Sequence, residues 1–310
     1  MPVSAHPVHY AYADVGTYGL GHSLLAWARC RLWCDRHGVP MLAPSWLHLQ
    51  HRIGPLLRRE HDNRQYHRLF QFGSGYVRGL RRWQLLASAT RVTAEETDLQ
   101  ALLQTHSRRL VVFHNRMQLN EESHFPDIVG NGPTVRAALA DMTKPRYLPA
   151  PDCTPHIAVH VRMGDFGAPM SIDALRRGSK NSRIPIDWYV DVVNTLRRAA
   201  GAVPVRVYSD GSDESLAPLL RLPDTTRSPK RASVTDLLGL AQARLVVSSG
   251  SGFSMWGSYL ADAPRVCFRG QRFARVLPIA DTLDVEPECE AGADLTPAFL
   301  DHACARLRAA

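Results

Sequence analysis

No C-x-x-C pair occurs in the 310-residue sequence, and its six cysteines (30, 34, 153, 267, 289 and 304) are scattered. That spacing argues against a disulfide framework or a zinc site and suits reduced thiols. Cys30 and Cys34 lie four apart beside Trp27 and Trp33 on an expected helix, as packing residues do. No apolar run approaches the ~18 residues needed to span a bilayer. The N-terminus has neither a basic n-region nor an apolar h-region, so no signal peptide is expected and the protein is read as cytoplasmic. G-x-G-x-x-G is absent, which removes a nicotinamide dinucleotide from consideration. No internal repeat of 20–50 residues and no low-complexity tract occurs.

What is present describes a soluble globular chain, 45% hydrophobic and 21% charged, long enough for two domains. A formal charge of +8 favours an anionic partner: a nucleotide, a nucleic acid or an anionic membrane surface.

In chain order, residues 9–15 read as a strand running into a glycine-rich turn, Gly16 to His22. A helix is expected over 24–37, closed by Gly38, and a second strand over 39–43. Strand, glycine turn, helix and strand open a Rossmann-like half. Over 51–83, arginines (52, 58, 59, 64, 68, 78, 81 and 82) interleave with Tyr66, Phe70, Phe72, Tyr76 and Trp83. The plainer reading is a solvated helical insertion with ordinary core aromatics. The alternatives are a surface for single-stranded nucleic acid or for a membrane-bound acceptor. Thr93 to Glu96 reads as a capping box opening a helix to about 106, followed by a strand over 109–114 and a helix over 131–142. Residues 144–155 hold four prolines and mark the boundary between domains 1–150 and 151–310. Beyond it strands are expected at 156–162, 203–209, 244–248 and 265–268. Helices are expected at 186–200, 213–220, 233–243 and 253–261, with a last one from Thr296. Such alternation means a parallel sheet covered on both faces.

Two stretches of this second half carry chemistry. His156 to Phe166 (H-I-A-V-H-V-R-M-G-D-F) is a β-branched strand ending in Arg162 and a glycine turn. A guanidinium at the carboxyl edge of such a sheet suits a phosphate. The plainer alternative is a surface pair between Arg162 and Asp165. Ser248 to Trp256 (S-S-G-S-G-F-S-M-W) joins a strand to a helix, so backbone N–H groups at the helix start can face an anion. Together they would form a clamp for a diphosphate; the plainer alternative is a tight strand–helix turn whose Gly and Ser serve conformation only. Asp210 ends V-Y-S-D at a strand edge, where it can take a ribose hydroxyl or shape a loop. Asp236 is a helix-capping residue or the acceptor of two hydrogen bonds from a guanine edge.

At these residues the chain resembles the α-1,2-fucosyltransferases and their α-1,6- and protein O-fucosyltransferase relatives. The matches are G-L-G-H (Gly19 to His22), H-V-R-M-G-D (His160 to Asp165), V-Y-S-D (Val207 to Asp210) and the run Asp236 to Gly257. His22 stands where the family carries Asn. The resemblance implies an α/β protein of GT-B type, two Rossmann-like domains facing across a cleft. Domain 1–150 would be on the acceptor side and domain 151–310 would hold the GDP-sugar. It implies inverting transfer of L-fucose from GDP-fucose to a glycan or lipid-linked glycan hydroxyl, α-1,2 in linkage, with no cofactor and no metal. The lack of any D-x-D accords with this. Arg162 would neutralise the β-phosphate, and Ser249, Gly250, Ser251, Gly252 and Phe253 would hold the diphosphate. Asp236 would read guanine, Asp210, Gly19 and Gly21 would line the donor, and His160, Asp165 and His22 would complete the catalytic set. The general base is open among His22, Asp14, Glu121 and Glu122. The expected partners are the donor and a glycan, not nucleic acid, with peripheral contact to the inner membrane through 52–83. The same fold with another GDP-sugar and a non-catalytic nucleotide-sugar module are the alternatives.

Overall fold

In a computed structural model, residues 9–16, 19–47, 65–114, 125–280 and 282–309 are described. The chain divides into two units, Met1–Ile128 with Ala138–Pro145, and Val129–Ala137 with Arg146–Ala310. Each is organised on one sheet in which every pair of neighbouring strands is parallel. The expected class, α/β with two Rossmann-like sheets, is the one the chain forms.

The first unit contains β1 (His9–Ala13), α1 (Leu20–His37), β2 (Met41–Leu42), β3 (Tyr76–Val77), α2 (Gly79–Ser88), β4 (Thr90–Thr93), α3 (Leu99–Leu103) and β5 (Arg109–Phe113). Its sheet order is β3-β2-β1-β5-β4. The division between the units falls within the next helix, α4 (Gly132–Met142). α1 begins at Leu20, earlier than expected, because Gly19 takes the extended N-cap conformation and its carbonyl accepts from the His22 and Ser23 amides, each at 3.1 Å. Gly21 and His22 are therefore first-turn residues of a helix and not part of a loop.

Two expectations fail here. Thr93 is no N-cap: it ends β4, and α3 is capped instead by Asp98, whose carboxylate accepts from the Gln100 and Ala101 amides. The described part of 51–83 has the solvated helix and core aromatics expected, with most of α2 exposed and Tyr66, Phe70 and Tyr76 buried. It is no mere insertion, however, since it supplies β3 to the sheet. Arg81 donates to the Tyr10 hydroxyl at 2.5 Å, and Arg82 donates to the Ala43 carbonyl at 2.6 Å while lying over the Tyr12 ring. Leu85 joins Tyr10, Leu42, Leu110 and Val112 in the core beneath α2. Those arginines tie α2 to the sheet, and Leu80 (75% exposed) and Trp83 (65%) are among the residues the helix turns outward. Arg52, Arg58, Arg59 and Arg64 lie outside the described residues. No helix among the described residues is long and apolar enough to cross a membrane.

The second unit contains β6 (Ile157–Val161), α5 (Ile172–Arg176), α6 (Ile186–Ala200), β7 (Val205–Ser209), α7 (Asp213–Leu220), β8 (Thr225–Arg227), α8 (Ser233–Leu240), β9 (Leu245–Val247), α9 (Gly252–Ala261), β10 (Arg265–Phe268), β11 (Glu288–Cys289) and α10 (Pro297–Arg308). All five residues of β6 are buried, as befits a central parallel strand covered on both faces. Ile157, Val159 and Val161 join the core that includes Val192, Leu196 and Phe299, while Ala158 turns to the opposite cluster with Tyr208, Leu240 and Val246. The alternation of the strand thus feeds two cores at once. α8 begins at Ser233 with Ala232 at its N-cap, a residue whose side chain cannot accept a bond.

Arg265 and Glu286, both fully buried, pair at 2.7 Å. The Arg265 guanidinium also donates to the carbonyls of Arg272 and Ala274, and Glu286 accepts from the amides of Val276 (3.1 Å) and Leu277 (3.2 Å). This pair shapes the loop leaving β10. Glu286→Ala would leave a buried charge uncompensated, which typically costs about 3–5 kcal/mol. Urea unfolding is expected to register a loss of that size.

Candidate functional site

The second sheet runs β11-β10-β9-β6-β7-β8. From β6 the chain goes to β7 and β8 on one side, then returns to add β9, β10 and β11 on the other. The crevice outside the carboxyl ends of β6 and β9 is thus the topological switch point, where open parallel sheets bind ligands. The last β6–β9 partners are Val159 and Val247, and the last β6–β7 partners are Val161 and Ser209. Register alone therefore brings Arg162, Asp210 and the Ser248–Ser251 turn to one edge.

Arg162 is held by two carboxylates. Its Nε and Nη2 both donate to Asp165 Oδ1, at 3.0 and 2.6 Å, and its Nη1 lies 2.6 Å from Asp210 Oδ2. The pairing of Arg162 with Asp165, the plainer alternative from the sequence, is therefore present, and Asp210 is added to it. Asp210 is engaged with this loop and not left open for a ribose: its Oδ1 accepts from the Met163 amide at 2.7 Å. Burial disfavours the Asp210 charge, but Arg162 and the Met163 and Gly164 amides outweigh it and hold the carboxyl below its ordinary range. Arg183, unmarked by any motif, closes the loop from outside by donating to the carbonyls of Met163 (3.0 Å) and Phe166 (2.6 Å).

The serine-rich turn is built inward. Ser249 Oγ lies 2.7 Å from His160 Nδ1 and donates to Ser251 Oγ at 3.0 Å; Ser251 in turn caps α9 by accepting from the Ser254 amide. Ser248 bonds Ser254 through their hydroxyls at 2.9 Å and accepts from the Gly250 amide. The Ser249 hydroxyl thus faces His160, and of Ser249 to Phe253 the less buried residues are Gly252 and Phe253. Gly250 has φ +68°, and a Cβ there would press to 3.1 Å against the buried Gln271. Only glycine meets both demands. Gln271 donates to the Leu175 carbonyl at 2.8 Å and so ties the turn to α5. Nothing in the sequence marks Gln271, because its role depends on a carbonyl 96 residues away.

His160 itself packs against the Phe253 ring, with centroids 5.5 Å apart. Burial, aided by Arg162 and opposed by Asp210, pushes its pKa down to about 4. It is a neutral brace between β6 and the turn.

A groove of about 400 Å³ is bounded by residues 149–152, β7–β8 and α8, with Tyr208, Ser228, Thr235 and Asp236 among its walls. Asp236 stands in the first turn of α8, where the helix dipole favours a negative charge. Burial raises the Tyr208 hydroxyl to about 12, so it stays protonated.

Gly19, Gly21 and His22 belong to the first unit. At the switch point of that unit's sheet, between β1 and β5, Asp14 Oδ2 meets His114 Nδ1 at 3.4 Å. The His114 amide donates to Glu95 and its carbonyl accepts from Arg29. Of the four base candidates, Asp14 is thus paired with a histidine that sequence reasoning missed, and His22 lies on α1. Glu121 and Glu122 lie outside the described residues. Among the described residues no three His, Cys, Asp or Glu side chains form a group able to hold a metal ion.

The burial of His160 sets a pH dependence. Its ordinary value is 6.5 and its folded value about 4, so its stabilising effect is complete above 6.5 and is lost as the pH falls toward 4. His156, also lowered by burial, adds to the trend. Unfolding free energy is expected to drop across this window by at most about 3 kcal/mol from His160. Chemical denaturation of His160→Asn across the same window should give a flatter curve.

No protein-family model and no curated protein matches the chain. Solved structures similar to it include the fucosyltransferase NodZ from Bradyrhizobium, at 13% identity and TM-score 0.47 over 84% of this chain and 94% of that one. POFUT1 in complex with GDP is similar at 12% identity and TM-score 0.45, over 84% of this chain and 96% of that one. The E. coli heptosyltransferase WaaC with ADP-2-deoxy-2-fluoro heptose is similar at 15% identity and TM-score 0.44, over 95% and 98%.

Proposed function

We propose that the protein is a GT-B type glycosyltransferase that moves L-fucose from GDP-fucose to a glycan hydroxyl with inversion, in α-1,2 linkage. The observation that carries the reading is the meeting of Arg162 and the N-terminus of α9 at the switch point of one Rossmann-ordered sheet. Guanidinium and helix N-terminus are the two protein groups best suited to a diphosphate. The groove between β7–β8 and α8 has the volume of a ligand pocket, and Asp236 on its wall can accept from the N1–H and the amino group of guanine. The motif order from Gly19 to Gly257 supports the sugar assignment.

In this reading the acceptor oxygen attacks C1 of fucose on the face opposite the diphosphate. The C1–O bond to the β-phosphate breaks, its electron pair leaves on GDP, and the hydroxyl proton passes to a base or to water. Charge grows on the β-phosphate during this step, so Arg162 binds the transition state more tightly than the ground state. The reaction needs no metal when guanidinium and helix N-terminus meet that charge. The free cysteines, four of them buried, suit the cytoplasm.

GDP is expected to raise the melting temperature far more than UDP or ADP, with or without EDTA; equal shifts would sink the guanine assignment. Arg162→Ala should fold and lose turnover by ~10²–10³ in initial-rate assays with GDP-fucose. Arg162→Lys should recover part of it, since a point charge cannot span two phosphate oxygens. GDP binding without transfer to any glycan would leave a nucleotide-sugar binding module.

A further inference from the structure

The two carboxylates on Arg162 are held in different ways. Asp210 is anchored at both oxygens, Oδ2 to Arg162 and Oδ1 to the Met163 amide, at the end of a strand paired on both sides. Asp165 sits on the loop, and one of its oxygens, Oδ1, takes both donors of the Nε–Nη2 edge. No bond is made by its Oδ2 among the described residues. That edge is one of the two that a guanidinium can offer for bidentate recognition of phosphate. With both carboxylates in place the cluster carries a net negative charge, since two negative groups surround one positive one. A diphosphate cannot take the edge until one carboxylate leaves, and only Asp165 is free of other ties.

We propose that Asp210 is the positioning residue of Arg162 and that Asp165 is an internal stand-in for a phosphate oxygen, displaced when a diphosphate binds. The proposal rests on the donor site described above, and it assigns the carboxylates opposite effects on the same ligand. Asp210 keeps the guanidinium aimed across the crevice through Nη1. Asp165 keeps the unoccupied site charge-paired and competes with the anion for its edge.

The test is titration calorimetry of the protein with inorganic pyrophosphate, which carries no guanine, followed by GDP. Asp165→Asn should tighten pyrophosphate roughly two- to fivefold, the worth of a part-exposed ion pair. Asp210→Asn should weaken it roughly tenfold, the worth of one hydrogen bond to a charged group. Asp210→Glu should recover part of the loss, and all three variants should melt near the wild-type temperature. A merely structural role for both residues would move the two affinities in the same direction. Weaker pyrophosphate binding by Asp165→Asn, or unchanged binding by Asp210→Asn, overturns the proposal. The expected pyrophosphate results without preference for GDP over UDP would support it while removing the guanine assignment. Failure of the wild-type protein to bind pyrophosphate would overturn both.

Discussion

The second unit depends on the double burial of β6. A strand hydrogen-bonded along both edges and packed on both faces has no freedom in direction or register. Its β-branched residues fill one core, and its small Ala158 admits the helices on the other face. The loop leaving the strand inherits that rigidity at its root. Arg162 emerges one residue past Val161, between the end of β7 and the turn after β9, so its neighbours are set by strand pairing. A fully buried strand therefore aims the part-exposed Arg162.

Around this strand, polar groups act mainly as braces. His160 is held neutral by burial, linking β6 to the turn through Ser249 and Ser251. Gln271 backs the turn, and the Arg265–Glu286 pair shapes the loop carrying Gln271. Each is a buried polar side chain with named partners, the condition under which such groups rigidify a structure. Preorganisation of this kind matters most at a site whose task is to meet developing charge, since no reorganisation is then needed when the charge forms. Arg162 alone carries its partners at the open edge, where an incoming anion can replace one of them.

The first unit repeats the plan with a different charge pattern. Its switch point holds Asp14 and His114, and the arginines of α2 turn toward the sheet and its tyrosines. Arginine interleaved with aromatic residues looks like a binding surface in one dimension. In three, Arg81 bonds Tyr10 and Arg82 covers Tyr12, so the alternation is the signature of a helix packed on a strand. Composition reports that basic and aromatic residues are near one another; it does not report which way they face.

The sequence by itself determined the parallel α/β class, because β-branched runs alternating with amphipathic stretches admit few other arrangements. It also determined that Arg162, the Ser248–Trp256 turn and Asp210 stand at the ends of strands, since each comes directly after its apolar run. It did not reveal β3, β8 and β11, of two or three residues, because strands that short exist only through their partners. Tertiary structure decided which way each side chain at the site points: Ser249 inward to His160, Asp210 to Arg162 and Met163, Gln271 to Gly250 and Leu175. Those contacts join residues 21 to 96 positions apart. Local propensity extends over a few residues and can place a group at an edge; only the packing of distant segments supplies the partner that fixes its charge and direction.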